Sequence, residues 1–197
     1  MEAESARLRA ISHPNIVPYL GLHQTPTTAF LLEEWINGPS LTEILNRKPI
    51  SAVEALVYTK AICSALEALH KQNYLHLHIA PELIHINKRG EIFLGGIGAA
   101  QQINSIIEYP HDKYPNLYFS PEQLNGESLS PASDIYSLAA LLYELTTAAW
   151  INGKDAPKTN EAIRKAHLDL APPAPIKLNK NIPDHFSRML LGTAQTA

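Results

Sequence analysis

Three imidazoles crowd one short stretch of this chain: His76, His78 and His85, within Tyr74-Leu75-His76-Leu77-His78-Ile79-Ala80-Pro81-Glu82-Leu83-Ile84-His85-Ile86. Imidazole is a common zinc ligand and titrates near neutral pH, so these residues suggest either a metal centre or proton transfer. Neither reading is favoured. No Cys lies near, a His-x-His pair on a loop has no metal-specific spacing, and His76 is expected to face inward, so no metal is expected. The proton-transfer reading rests on His78 as a base, and a base needs a bound substrate to act on.

The same stretch resembles the catalytic loop of the protein kinases. There His, Arg and Asp are followed by a Pro and an Asn; Asp is the catalytic base and Asn holds a magnesium ion. On that frame His76 keeps the first position and Pro81 the proline, while Leu77 replaces Arg, His78 the base, Ala80 the usual Lys and Leu83 the metal-binding Asn. Glu91-Ile92-Phe93-Leu94-Gly95-Gly96-Ile97-Gly98-Ala99 resembles the strand leading into the family's Asp-Phe-Gly motif, with Gly96 where Asp stands and Gly98 retained. Other landmarks follow in family order. Ser12-His13-Pro14-Asn15-Ile16-Val17 is similar to the link from the regulatory helix to the fourth strand, and residues 30–41 to the fifth strand, hinge and next helix. Tyr118-Phe119-Ser120-Pro121-Glu122-Gln123 is similar to the end of the activation segment, and Ser133-Asp134-Ile135-Tyr136-Ser137-Leu138 to the start of the central buried helix. The chain is identified as a member of the protein kinase superfamily, with a flavour similar to the bacterial Ser/Thr kinases.

The resemblance implies a mainly α fold (α+β overall), a kinase-like helical C-lobe with a remnant of the N-lobe made of the regulatory helix and two strands. Residues 1–36 are expected to form the partial N-lobe, and residues 37–197 a C-lobe incomplete at its C-terminal end. His76, Pro81, Gly98, Glu122 and Asp134 are expected to be structural, with Glu122 lacking its customary Arg partner. At His78, Ala80, Leu83 and Gly96 the family's polar groups are replaced, and, with the resemblance opening at the regulatory helix, neither a Gly-rich loop nor a phosphate-binding Lys is expected. Loss of a general base alone costs on the order of 10² to 10⁴ in rate. The expectation is therefore that the chain is not an enzyme and takes no cofactor, but is a catalytically inactive pseudokinase acting as a protein-interaction or regulatory module in signalling. The alternatives are a divergent or split Ser/Thr kinase with residual nucleotide binding, and a non-functional truncated relic. The expected partner is another protein, an active kinase or a second copy, bound through the fifth-strand edge and the regulatory helix.

By the same alignment Glu33 takes the gatekeeper position behind the adenine pocket and His85 the residue beneath the adenine. With Glu4 as the regulatory-helix glutamate, two carboxylates would face a region without a lysine. Burying unpaired carboxylates costs several kcal/mol or forces protonation. The expectation is a displaced helix or a cation supplied by a partner.

Composition and periodicity frame these readings. With 197 residues, 45% of them hydrophobic, the chain can bury one sizeable core. Its formal net charge of -3 gives no electrostatic case for nucleic acid or anionic membrane. The single Cys63 excludes an internal disulfide, no apolar run reaches membrane-spanning length, and a cytoplasmic location is expected. Ser51 and Glu54 form a capping-box pattern opening a long helix, whose apolar face would carry Val53, Leu56, Val57, Ala61, Cys63, Leu66 and Leu69. Residues 134–147 are apolar nearly all round and predict a buried helix. Short strands near 83–86 and 91–94 flank a turn-rich loop suited to a hairpin. The Pro-rich residues 171–175 predict a surface connection before a last helix from about 183. Tyr114, Tyr118 and Phe119 are expected to pack the activation segment, where Ser105 is the one Ser before Ser120.

Overall fold

The computed structural model describes residues 2–45, 50–103, 117–151 and 159–195; Ser105 and Tyr114 lie outside the described residues. Its centre is the helix α5 (Pro131–Thr147), capped by Ser130 with Pro131 in the first turn. Leu138, Leu141, Leu142 and Leu145 are all buried, as their distribution around the helix requires, and Ile135 alone among its large apolar side chains reaches the surface. Against α5 lies the long helix α3 (Ala52–Lys71). Its capping box forms as the sequence predicts: the Ser51 hydroxyl accepts from the Glu54 N–H, and the Glu54 carboxylate accepts from the Ser51 N–H at 2.9 Å.

The buried face of α3 differs from the predicted one. Ala55, Ile62, Ala65, Leu66 and Leu69 point inward, whereas Val53, Leu56 and Val57 are exposed. Apolar residues surround the first two turns of this helix, so their positions define no single stripe. The small Ala55 and Ala65 allow close approach on the side that is buried.

The strands are short. β1 (Tyr19–Gln24) and β2 (Ala29–Glu33) form an antiparallel hairpin, with the helix α1 (Glu2–Arg9) packed on β1 through buried Leu8 and a 3.1 Å Ser5–Tyr19 hydroxyl bond. The short helix α2 (Leu41–Leu45) follows the hinge residues. β3 (Tyr74–Leu75) runs into the His76 loop and pairs with β6 (Gln101–Gln102). β4 (Ile84–Ile86) and β5 (Ile92–Leu94) make the expected hairpin, its turn held by the Asn87 carboxamide oxygen, which accepts from the N–H groups of Arg89 and Glu91. Beyond them lie α4 (Pro121–Asn125), α6 (Asn160–Asp169), α7 (Pro175–Leu178) and α8 (Asp184–Gln195). The Pro-rich connection is non-helical only up to residue 174, because Pro175 opens α7 from a first-turn position where its missing N–H is no loss. Among the described residues no helix is long and apolar enough to cross a membrane.

Candidate functional site

The site is built around one buried carboxylate. Asp134, in the first turn of α5 and 0% exposed, accepts from the backbone N–H groups of His76 (2.9 Å) and Leu77 (2.7 Å) and from the His70 ring at 2.7 Å. Leu77 sits in the left-handed backbone region at φ 60°, which a branched side chain adopts only when its surroundings impose it. Asp134 holds its N–H, and the Gln123 carboxamide donates to its carbonyl at 3.0 Å. Loop conformation is thus fixed from α5 and from α4.

His76, fully buried, donates from Nε2 to the Gly95 carbonyl at 2.8 Å, while its Nδ1 accepts from the His78 N–H at 3.3 Å. Those partners select the neutral ring, and burial pushes its pKa down, with Asp134 opposing. His76 thereby ties the loop after β3 to the end of β5. His78 reaches an edge-on contact with Phe119 at 6.3 Å between ring centres, Ala80 is buried, and Pro81 opens a short 3₁₀ helix over 81–83.

Leu83 and Gly96 meet each other. Gly96 has φ 86°, and a Cβ built there would lie 2.9 Å from Leu83 Cδ1, so the position suits glycine by conformation and by space. Gly98 is fixed differently, because a Cβ there would fall 2.6 Å from the Tyr19 ring and 3.3 Å from Leu31. Gly98→Ala is expected to cost about 1–3 kcal/mol through this overpacking. Urea unfolding checks it against Gly192→Ala, at a helical position with open space around it.

Glu33, at the end of β2, does not stand unpaired as the sequence suggests. Its carboxylate accepts from the Gly96 N–H at 2.7 Å, and the nearby backbone N–H groups of Ile97 and Gly98 favour its charged form. Burial still raises its pKa above the ordinary carboxylate range, these backbone N–H groups offsetting part of that rise. Glu4 is exposed on α1, and α1 packs on β1 and the turn 97–99. Glu33 and Glu4 are not a pair of buried unpaired charges, so neither a displaced helix nor a partner's cation is required.

His85 is half-buried on β4, bridged to Ser40, and burial lowers its pKa while Glu43 raises it. Glu122 accepts from Ser133 through one oxygen, and its other oxygen is buried without a partner among the described residues. The three histidines do not converge: among the described residues no group of three or more His, Cys, Asp or Glu side chains is placed to hold a metal ion. Sequence reading missed His70, Gln123 and Tyr19, whose roles come from contacts made far along the chain.

A family model described as protein kinase domain matches residues 1–194. The chain belongs to the protein kinase family. Its overall architecture, about half helical with a few short strands, is kinase-like. Among its relatives, a probable serine/threonine-protein kinase of Clostridium perfringens is 26% identical over 95% of this chain and 27% of its own length. PrkC of Bacillus subtilis is 29% identical over 96% of the chain and 29% of its own length. PknB of Lactococcus lactis, a probable serine/threonine-protein kinase, is 25% identical over 96% and 30%. The chain spans less than a third of the length of these relatives.

These findings overturn one expectation drawn from His78, Leu83 and Gly96. Relatives named as Ser/Thr protein kinases match over most of the chain and point to an enzyme, not to a protein without enzymatic activity. What those positions establish is narrower: the groups replaced there are not supplied by His78, Ala80, Leu83 or Gly96.

Proposed function

We propose that this chain is a regulatory, protein-binding domain of Ser/Thr kinase signalling, engaging another polypeptide through the free edge of β2 and the neighbouring α1. The reading treats residues 1–36 as a partial N-lobe set on a C-lobe of residues 37–197. One observation carries it. β2 pairs only with β1 among the described residues, and its Phe30, Leu31 and Leu32 are each about half exposed, with Trp35 83% exposed just beyond. An open edge flanked by apolar side chains is the surface to which an extended segment adds as a further strand. The occupant is a strand-like segment of a kinase or of a second copy.

Leu32→Lys and Trp35→Ala test this, since both side chains are exposed and their replacement leaves the core intact. Light scattering over a concentration series, and co-purification with a bacterial Ser/Thr kinase domain, should each show association weakened at least about tenfold in the variants, with Tm unchanged. A monomer at every concentration that also fails to bind the kinase would remove the reading.

The family match favours a second reading, a divergent or split kinase that binds nucleotide. A ligand binding only the folded state raises apparent stability, so a magnesium-dependent thermal shift with ATP would move this reading to the front.

A further inference from the structure

The 3₁₀ turn 97–99 leaves its leading N–H groups without partners inside the turn, because only Ala99 and Ala100 donate back, to Gly96 and Ile97. That of Gly96 donates at 2.7 Å to the Glu33 carboxylate, which arrives from another strand, and those of Ile97 and Gly98 lie close enough to favour its charge. The fit is close, for a Cβ on Gly95 would lie 3.0 Å from Glu33 Oε2. We propose that Glu33 is a latch: a positioning residue that ties the end of β2 to the turn 96–99, so that strand and turn move as one body.

Two features argue that the carboxylate serves this coupling rather than stability. Burial outweighs the opposing influence of these backbone N–H groups, so the ionised form costs stability as pH rises above the ordinary carboxylate range. The same turn is also packed against His76 at Gly96 and against Tyr19 and Leu31 at Gly98. The latch therefore joins the β1–β2 hairpin to the loop that Asp134 holds. Anything that pulls the turn from β2 must first break the Gly96 bond to this carboxylate.

Amide exchange measured residue by residue by NMR on the full chain tests this. In Glu33→Ala the Gly96, Ile97 and Gly98 amides should exchange at least about tenfold faster than in the wild type, while the Leu94 and Ile86 amides change little. Glu33→Gln keeps a single acceptor oxygen and should free at least one of the three without lowering Tm at neutral pH. It carries the test alone if the Ala variant does not fold. Unchanged exchange at all three amides, or acceleration spread evenly over the chain, overturns the proposal.

Discussion

Replacing Asp134 by Ala is expected to cost on the order of 4 kcal/mol, a large part of the 5–15 kcal/mol by which a domain of this size is stable. The substitution strands three donors at once: the buried N–H groups of His76 and Leu77 and the partly buried ring of His70. Each unsatisfied buried donor costs about 1–3 kcal/mol. Leu77 adds to the loss, because its left-handed backbone, itself about 1 kcal/mol above a right-handed one, is held by the bond that disappears. Asn at this position does not restore the site, since its NH₂ group would face donors. Urea denaturation of Asp134→Ala and of the His70→Ala, Asp134→Ala pair measures the effect. The double variant should lose less than the sum of the singles, since His70 has no acceptor left to miss. A loss under about 1 kcal/mol in the single variant would show that the loop holds its shape without Asp134.

The motifs that local chemistry writes into consecutive residues were legible in the sequence. The Ser51–Glu54 box, the all-round apolar pattern of α5 and the Asn87 turn each concern neighbours, and each formed. The spacing of His76, Pro81, Gly98 and Asp134 marked the family, which the match over residues 1–194 shows. What escaped depended on distant contacts. Glu33 read as an unpaired charge because its acceptor role is satisfied by backbone groups 63 residues later, and a backbone N–H leaves no trace in a sequence. The face of α3 was misassigned because Val53, Leu56 and Val57 are as apolar as the residues that α5 covers. His70 and His167 carry no signal in the sequence, because packing alone gives them partners. The step from replaced side chains to lost activity failed for a different reason, since the fate of a few groups does not fix what a whole kinase-family protein does.

Acid is expected to destabilise this domain through His167, by about 3 kcal/mol between pH 6.5 and pH 4. His167, on α6 and 7% exposed, accepts the Tyr136 hydroxyl at Nδ1 (2.7 Å) and donates from Nε2 to the Leu117 carbonyl (3.0 Å), which also accepts from the Trp150 indole at 3.0 Å. Burial pushes its pKa down to about 4, the bond to Leu117 opposing. A second ring proton would sit on Nδ1 facing the tyrosine hydroxyl, so charging the ring turns a good bond into a repulsion. The folded state therefore binds fewer protons than the unfolded one across this window. Stability is fully present above the unfolded value near 6.5 and is lost as pH falls through about 4. His76 and His85 shift the same way, so the wild-type curve alone does not isolate the effect. The comparison with His167→Phe does. That variant strands the Tyr136 hydroxyl and should be the less stable protein at pH 7, but it has no ring to protonate. The stability gap measured by urea titration at successive pH values should then close toward pH 4. Parallel curves would mean that His167 stays neutral, or keeps its bonds when charged, and that the acid sensitivity lies elsewhere.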